Sequence, residues 1–301
     1  MRARAMLAFA LIAMAMSALP AHARPVVHFV LSEPNGPYRE VFVAARTALG
    51  GDATVSVGAL DDAVPESASA IVAVGTAAAA RWAGSDDPRA VFATLVPSAG
   101  WQRLVRGDTT RRSALFLDQP LTRQLALVRV LLPPLRELGV VYGPSSVARR
   151  DAVLDAADRF HLFINAHHAT SSVDIDDAFL TVLRRSEALL ALPDSAVFTR
   201  FNVQSLLLTS FRLRRPVIGF SESWVRAGAL AAVHTTPAQL GAELGAEIAT
   251  WLSDRGPLPA SRTPMRYTLS VNRQVAFSLG LNLAPDAVLQ QRIRALLGEH
   301  P

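Results

Sequence analysis

Ile71-Val72-Ala73-Val74-Gly75-Thr76-Ala77-Ala78 is the stretch on which the reading of the fold turns. An unbroken apolar run ends in a Gly-Thr pair, and an Ala-rich helical pattern starts at once. A strand with no polar alternation is buried on both faces, and a helix that follows it directly covers one of them, so the unit belongs to a parallel sheet. Working outward, 26–31 is a second buried-strand run, with Glu33-Pro34-Asn35-Gly36-Pro37 as its turn. A helix follows over 38–49 with Val41, Ala45, Ala48 and Leu49 on one face. Strands are also expected near 54–57 and over 91–96.

The pattern then restarts. An amphipathic helix over 121–132 ends at Pro133-Pro134, because proline lacks the helical donor and clashes with the preceding turn. Strands at 138–142, 162–166, 188–192 and 217–220 alternate with helices at 147–160, 175–185 and 199–213. Thr236-Pro237-Ala238-Gln239 is a capping box with proline at the first helical position, so a helix starts there and runs to about 254. A strand near 267–271 and one or two helices close the chain. The fold class expected is α/β, two doubly wound parallel-sheet lobes joined by a hinge. That division suits the 301-residue length at roughly 150 residues per domain.

Composition excludes much. Half of the residues are hydrophobic, 18% are charged and none is cysteine, so disorder, disulfide scaffolds, thiolate catalysis and Cys-bound metals all drop out. Met1-Arg2-Ala3-Arg4, the short apolar run 5–16 and Ala21-His22-Ala23 form a secretory leader with cleavage expected after Ala23. Its removal takes Arg2 and Arg4 from the 30 basic residues and leaves 28 against 25 acids. The working compartment expected is the periplasm. All basic residues are arginine, and the pairs Arg111-Arg112, Arg149-Arg150, Arg184-Arg185 and Arg214-Arg215 are scattered among acids. They read as solvated faces, and no nucleic-acid partner is expected.

Enzyme signatures fail on inspection. Gly219-Phe220-Ser221-Glu222-Ser223 lacks the second glycine of a nucleophile elbow. His161, His167, His168 and His234 show no metal-ligand spacing. Asp174-Ile175-Asp176-Asp177 starts like a calcium loop but has neither its glycine nor its closing glutamate, and helix capping explains those acids. No phosphate-binding glycine motif occurs. Neither a catalytic residue, a metal nor a cofactor is expected. Ligands of open parallel sheets sit outside the carboxyl ends of the strands, which selects the loops after each strand as candidate positions.

The chain resembles the ABC transporter substrate-binding family, of the type I periplasmic binding protein fold, whose members include tryptophan-binding proteins. The resemblance is carried by 71–78 together with Leu138-Gly139-Val140-Val141-Tyr142 and Ala191-Leu192-Pro193-Asp194. Arg215-Pro216-Val217-Ile218-Gly219-Phe220-Ser221, Ala227-Gly228-Ala229-Leu230-Ala231-Ala232 and the stretch from Val271-Asn272 to Leu279-Gly280-Leu281 extend it. Amino-acid-binding members carry Thr-Asp-Pro after the fourth strand, whereas Val96-Pro97-Ser98 stands here, so ligand identity does not transfer.

The resemblance implies a two-lobe clamp that captures a small molecule and presents it to an ABC transporter permease, the protein acting as a monomer. Its lobes are 24–117 with 234–265 and 118–233 with 266–301, after the leader 1–23. Hinges are expected near 117–120, Ala232-Val233 and Arg266-Tyr267. Tyr38, Thr76, Ser98, Asp118, Tyr142, Ser145, Asp194 and Glu222 are the expected cleft residues. Asp118 and Glu222 accept an amino group on this reading, and loop amides near Ser145 hold a carboxylate. Two alternatives stand beside it: a secreted α/β hydrolase using Ser221 with His234, and a sensory protein that presents ligand to a membrane receptor.

Overall fold

β1 (Val26–Leu31), β2 (Thr54–Ala59), β3 (Ala68–Val74), β4 (Ala90–Thr94) and β5 (Arg112–Leu115) make a parallel sheet in the order β2-β1-β3-β4-β5. The structure is a computed structural model that describes residues 24–107, 109–169, 174–199 and 201–299, so the leader lies outside the described residues. Helices α1 (Pro37–Leu49), α2 (Thr76–Trp82) and α3 (Ser98–Leu104) connect its strands. Successive β1 residues serve opposite layers, as the period of a strand requires: Val27, Phe29 and Leu31 pack with α1, and Val30 packs with Ile71, Ala73 and Trp101.

β6 (Glu137–Tyr142), β7 (Phe163–His168), β8 (Ala188–Leu190), β9 (Val217–Gly219), β10 (Ala231–His234) and β11 (Thr268–Val271) form the second sheet, ordered β11-β10-β9-β8-β6-β7. Its strands are parallel except β11, which runs antiparallel to β10 at the edge. The helices of this half are α4 (Leu121–Leu131), α5 (Arg150–Asp158, after a 3-10 turn at Val147–Arg149), α6 (Asp174–Arg185), α7 (Val203–Arg212), α8 (Glu222–Ala227), α10 (Arg273–Ser278) and α11 (Asp286–Leu297). Each sheet thus carries apolar layers on both faces.

α9 (Pro237–Asp254) follows a strand of the second sheet yet packs on α1 of the first. Its start is the expected capping box: Thr236 Oγ1 accepts from the Gln239 amide at 3.2 Å, and Gln239 Oε1 accepts from the Thr236 amide at 3.0 Å. Gly241 and Gly245 set the depth of the contact. A Cβ on Gly245 would lie 2.5 Å from the Ala45 carbonyl oxygen and 2.8 Å from Ala48 Cβ, so only glycine permits this approach. After α9 the backbone amide of Phe116 donates to the Arg262 carbonyl and that of Arg262 to the Ala114 carbonyl, both at 2.9 Å, before the chain returns to β11.

Two sequence expectations change here. β5 is a further strand, hidden because it opens at the second residue of an arginine pair. Arg112 is buried instead of solvated, and its guanidinium donates to the carbonyl oxygens of Ser85 at 2.6 Å and Asp87 at 2.9 Å. Ala232-Val233, expected at a hinge, lies inside fully buried β10, and the chain leaves the second sheet only after His234.

Gly245→Ala is expected to lower unfolding stability by about 1–3 kcal/mol through overpacking, read as a lower urea midpoint at unchanged slope. An unchanged midpoint would show that α1 and α9 have slack.

Candidate functional site

Three segments pass between the sheets, at 116–120, at 235–236 and at 255–267, and buried polar groups tie them together. Gln119 Nε2 donates to Thr235 Oγ1 at 2.6 Å, and that hydroxyl donates to the Arg266 carbonyl, also at 2.6 Å. Arg123, on α4, donates to Gln119 Oε1 at 2.8 Å and to the Pro264 carbonyl at 3.1 Å, and its guanidinium lies 4.3 Å from the Tyr267 ring centroid. Gln119, Arg123 and Thr235 are all buried.

Beside this network lies a cleft of about 500 Å³. Tyr38, Leu95 and Pro97 line it from the first sheet; Pro193, Phe220, Ser221, Glu222, Ser223 and Arg226 line it from the second. Leu117, Asp118, Gln119, Thr235 and Thr236 of the crossing segments form its floor, joined by Gln124 of α4 and His234. Both walls are loops at the carboxyl ends of strands, the place where an open parallel sheet leaves helix starts and varied side chains available. Leu95 takes a left-handed backbone, with φ of +53°, immediately after β4. A branched side chain in that region is costly, and here it sits on the cleft wall.

Of the residues expected in the cleft, the structure brings Tyr38, Asp118 and Glu222 together. The Tyr38 ring rests where a Cβ on Gly75 would be, so the positive φ of Gly75 and the aromatic wall depend on each other. Asp118 is buried; it accepts from the Ser98 amide at 2.5 Å and lies 3.5 Å from the Arg149 guanidinium of the second half. Ser98 therefore supports the cleft through its backbone. Glu222 is exposed and pairs with Arg226 one turn along at 2.9 Å.

The other expected positions lie elsewhere. Thr76 is exposed at the start of α2, outside the cleft lining. Tyr142 is packed in the second core, and burial pushes its hydroxyl pKa up to about 12. The Ser145 loop holds a carboxylate, but it is the protein's own. Asp194 Oδ2 accepts from the Ser145 amide at 2.9 Å and from the amide and hydroxyl of Ser146 at 2.8 Å each, while Oδ1 accepts from the Ala196 amide at 3.0 Å. A buried carboxylate with four donors is a brace for two loops, and no amide of that set is left for a ligand.

Gln124, Thr236 and Arg226 were missed. Gln124 sits in a helical pattern where nothing marks a buried glutamine. The supposed Ser221–His234 pair is not joined: Ser221 Oγ is 2.8 Å from Ser223 Oγ, and His234 Nε2 is 2.9 Å from Ser270 Oγ. Among the described residues no cluster of three or more His, Cys, Asp or Glu is arranged to hold a metal, and no helix is long and apolar enough to cross a membrane.

Asp194→Ala removes the acceptor of three amides and one hydroxyl, those of Ser146 buried, and is expected to cost about 2–3 kcal/mol, whereas Glu222→Gln removes an exposed helical pair and changes stability by less than about 0.5 kcal/mol. Equal costs in urea unfolding would contradict the division between brace and cleft. Burial holds the His28 and His234 pKa values below the ordinary imidazole range, with Arg89 adding to the effect at His28. At these two histidines the unfolded chain therefore binds more protons than the folded one as pH falls through about 6.5 toward the lowered folded values. Stability is expected to fall from pH 7.5 to 5.5, and His28→Asn with His234→Asn should flatten that slope.

A family model for ABC transporter substrate binding proteins matches residues 113–292. No curated protein matches the sequence significantly. Among solved structures, an ABC domain in complex with L-Trp from Streptococcus pneumonia aligns at TM-score 0.62 and 15% identity, over 89% of this chain and 98% of that one. The ligand-free, open structure of a substrate binding protein with adhesive properties from Clostridium difficile aligns at 0.67 and 17%, over 88% and 97%. A conserved domain protein from Vibrio cholerae aligns at 0.59 and 20%, over 89% and 97%. These structures share the type I periplasmic binding protein fold with this chain. The chain belongs to the ABC transporter substrate-binding protein family.

Proposed function

We propose that this protein is exported by its leader, works in the periplasm as a monomer, and captures a small solute between the lobes 24–117 with 234–265 and 118–233 with 266–301. Solute contacts from both lobes favour the closed arrangement, which is then presented to an ABC permease. The observation that carries this reading is the cleft: about 500 Å³, within the range of small-molecule sites, walled from both sheets and floored by the segments that join them. Closure by rotation at those segments moves the walls together without disturbing either apolar core. Tyr38, Leu95, Leu117 and Phe220 supply apolar contact, and Asp118 and Glu222 receive polar hydrogen. No step on this reading makes or breaks a covalent bond.

The L-Trp complex among the structural neighbours places aromatic amino acids at the head of a trial panel. A true solute at 100 times its Kd adds about 2.7 kcal/mol to stability and raises the melting temperature. Tyr38→Ala is expected to reduce that shift, and Ser221→Ala to leave it largely intact. A panel in which no metabolite raises the melting temperature, or an ester hydrolysis lost in Ser221→Ala, would overturn the reading.

A further inference from the structure

A second concavity, of about 750 Å³, borders the third crossing and shares no described lining residue with the cleft. Arg266 of that crossing, Arg123 of α4 and Arg294 of α11 line it, and Glu299 is the one carboxylate among them. Glu299 is already spent on Arg123, at 2.9 Å. Among the described residues neither Arg266 nor Arg294 forms an ion pair. Glu243 accepts from the Arg266 amide at 3.3 Å, but Arg262 neutralises it and it does not line the groove. Arg266 is exposed and Arg294 half-buried, so both are open to a molecule from solution.

Arg123 shows what the groove accepts. Its Nη1 donates to Gln119 and to the Pro264 carbonyl of the crossings, whereas its Nη2 donates to the Glu299 carboxylate. One oxyanion is thus already held here, supplied by the chain itself. Two further guanidinium groups in the same concavity repel Arg123 and each other, and the walls of a groove screen that repulsion less than open water does. A bound anion removes this cost, and the guanidinium fork matches the paired oxygens of carboxylate and phosphate. We infer that the groove is a second ligand site, separate from the cleft, for a small oxyanion carrying two negative charges and held by Arg266 and Arg294. Two charges balance the two arginines that have no acid of their own. Phosphate and dicarboxylates share this chemistry. Because Arg123 also belongs to the crossing network, an occupant that lines up beside it adds to the stability of the whole chain.

Phosphate, succinate and the monoanion acetate are each titrated by calorimetry and thermal denaturation into the protein in a neutral zwitterionic buffer, with sodium chloride at matched ionic strength as the blank. Phosphate or succinate is expected to bind saturably, at least 10-fold more tightly than acetate, and to raise the melting temperature beyond the blank. Binding by one of the two supports the site and says which class of dianion fills it. Arg266→Gln and Arg294→Gln, both changes at accessible side chains, are expected to weaken the dianion at least 10-fold each without lowering the melting temperature of the ligand-free protein. Glu299→Gln removes the competing carboxylate and is expected to tighten binding about 3- to 10-fold. A shift that sodium chloride reproduces, acetate binding as tightly as the dianions, or binding unchanged in a folded Arg266→Gln, Arg294→Gln double variant means an adventitious ion only and overturns the inference. Weaker binding in Glu299→Gln overturns it too. None of these results bears on solute capture in the cleft, which the metabolite panel tests by itself.

Discussion

The structure depends on three chain crossings held by one buried polar network. Gln119, Thr235 and Arg266 come from the three separate crossings, and single hydrogen bonds of 2.6 Å link them in series. Arg123 braces the set from α4 and ends in an ion pair with Glu299 at 2.9 Å. Buried groups of this kind are costly unless satisfied, so the network stabilises one register of the crossings against all others. The cores on either side are close-packed and do not deform continuously, whereas a few backbone dihedrals in the crossings can change.

The same rule sorts the acids of the cleft region into two kinds. Asp194 is surrounded by donors from its own loops and leaves nothing open to a visitor. Asp118 has one oxygen on the Ser98 amide and the other at a looser 3.5 Å from Arg149, while Glu222 meets only an exposed arginine. The count of internal donors thus separates Asp194, which braces two loops, from Asp118 and Glu222, which keep acceptor capacity toward the cleft. Gly143 shows how closely the brace is built: a Cβ there would approach Asp194 Oδ2 to 2.8 Å. The Ser145 loop is shaped around an internal anion.

Local pattern carried much of the architecture. The strands at 26–31 and 71–74 were legible because both faces are buried and all positions but His28 are apolar, and α9 was legible from its capping box because those contacts span only three residues. β5 was not, since Arg112 is buried by carbonyl oxygens from a loop more than 20 residues away. Tyr142 looked like a rim residue at the end of its strand, but helices packed over β6 put it in the core. Of the candidate site, Tyr38, Asp118 and Glu222 were readable as polar or aromatic residues after strands. Gln124 was invisible, because a glutamine in an amphipathic helix is ordinary until its neighbours are known.

The sequence by itself determined the class of structure: two series of parallel strands with helices between them, their order, and the helix that begins at Thr236. Those features follow from periodicity, from proline and glycine positions and from capping, all of which act over a few residues. Only the tertiary structure decided that α9 returns to the first sheet, that three crossings share one hydrogen-bond network, and which polar groups of the cleft remain unsatisfied. Each of these depends on partners far apart in the chain, and hydrogen-bond satisfaction is a property of the whole neighbourhood, which no single segment encodes.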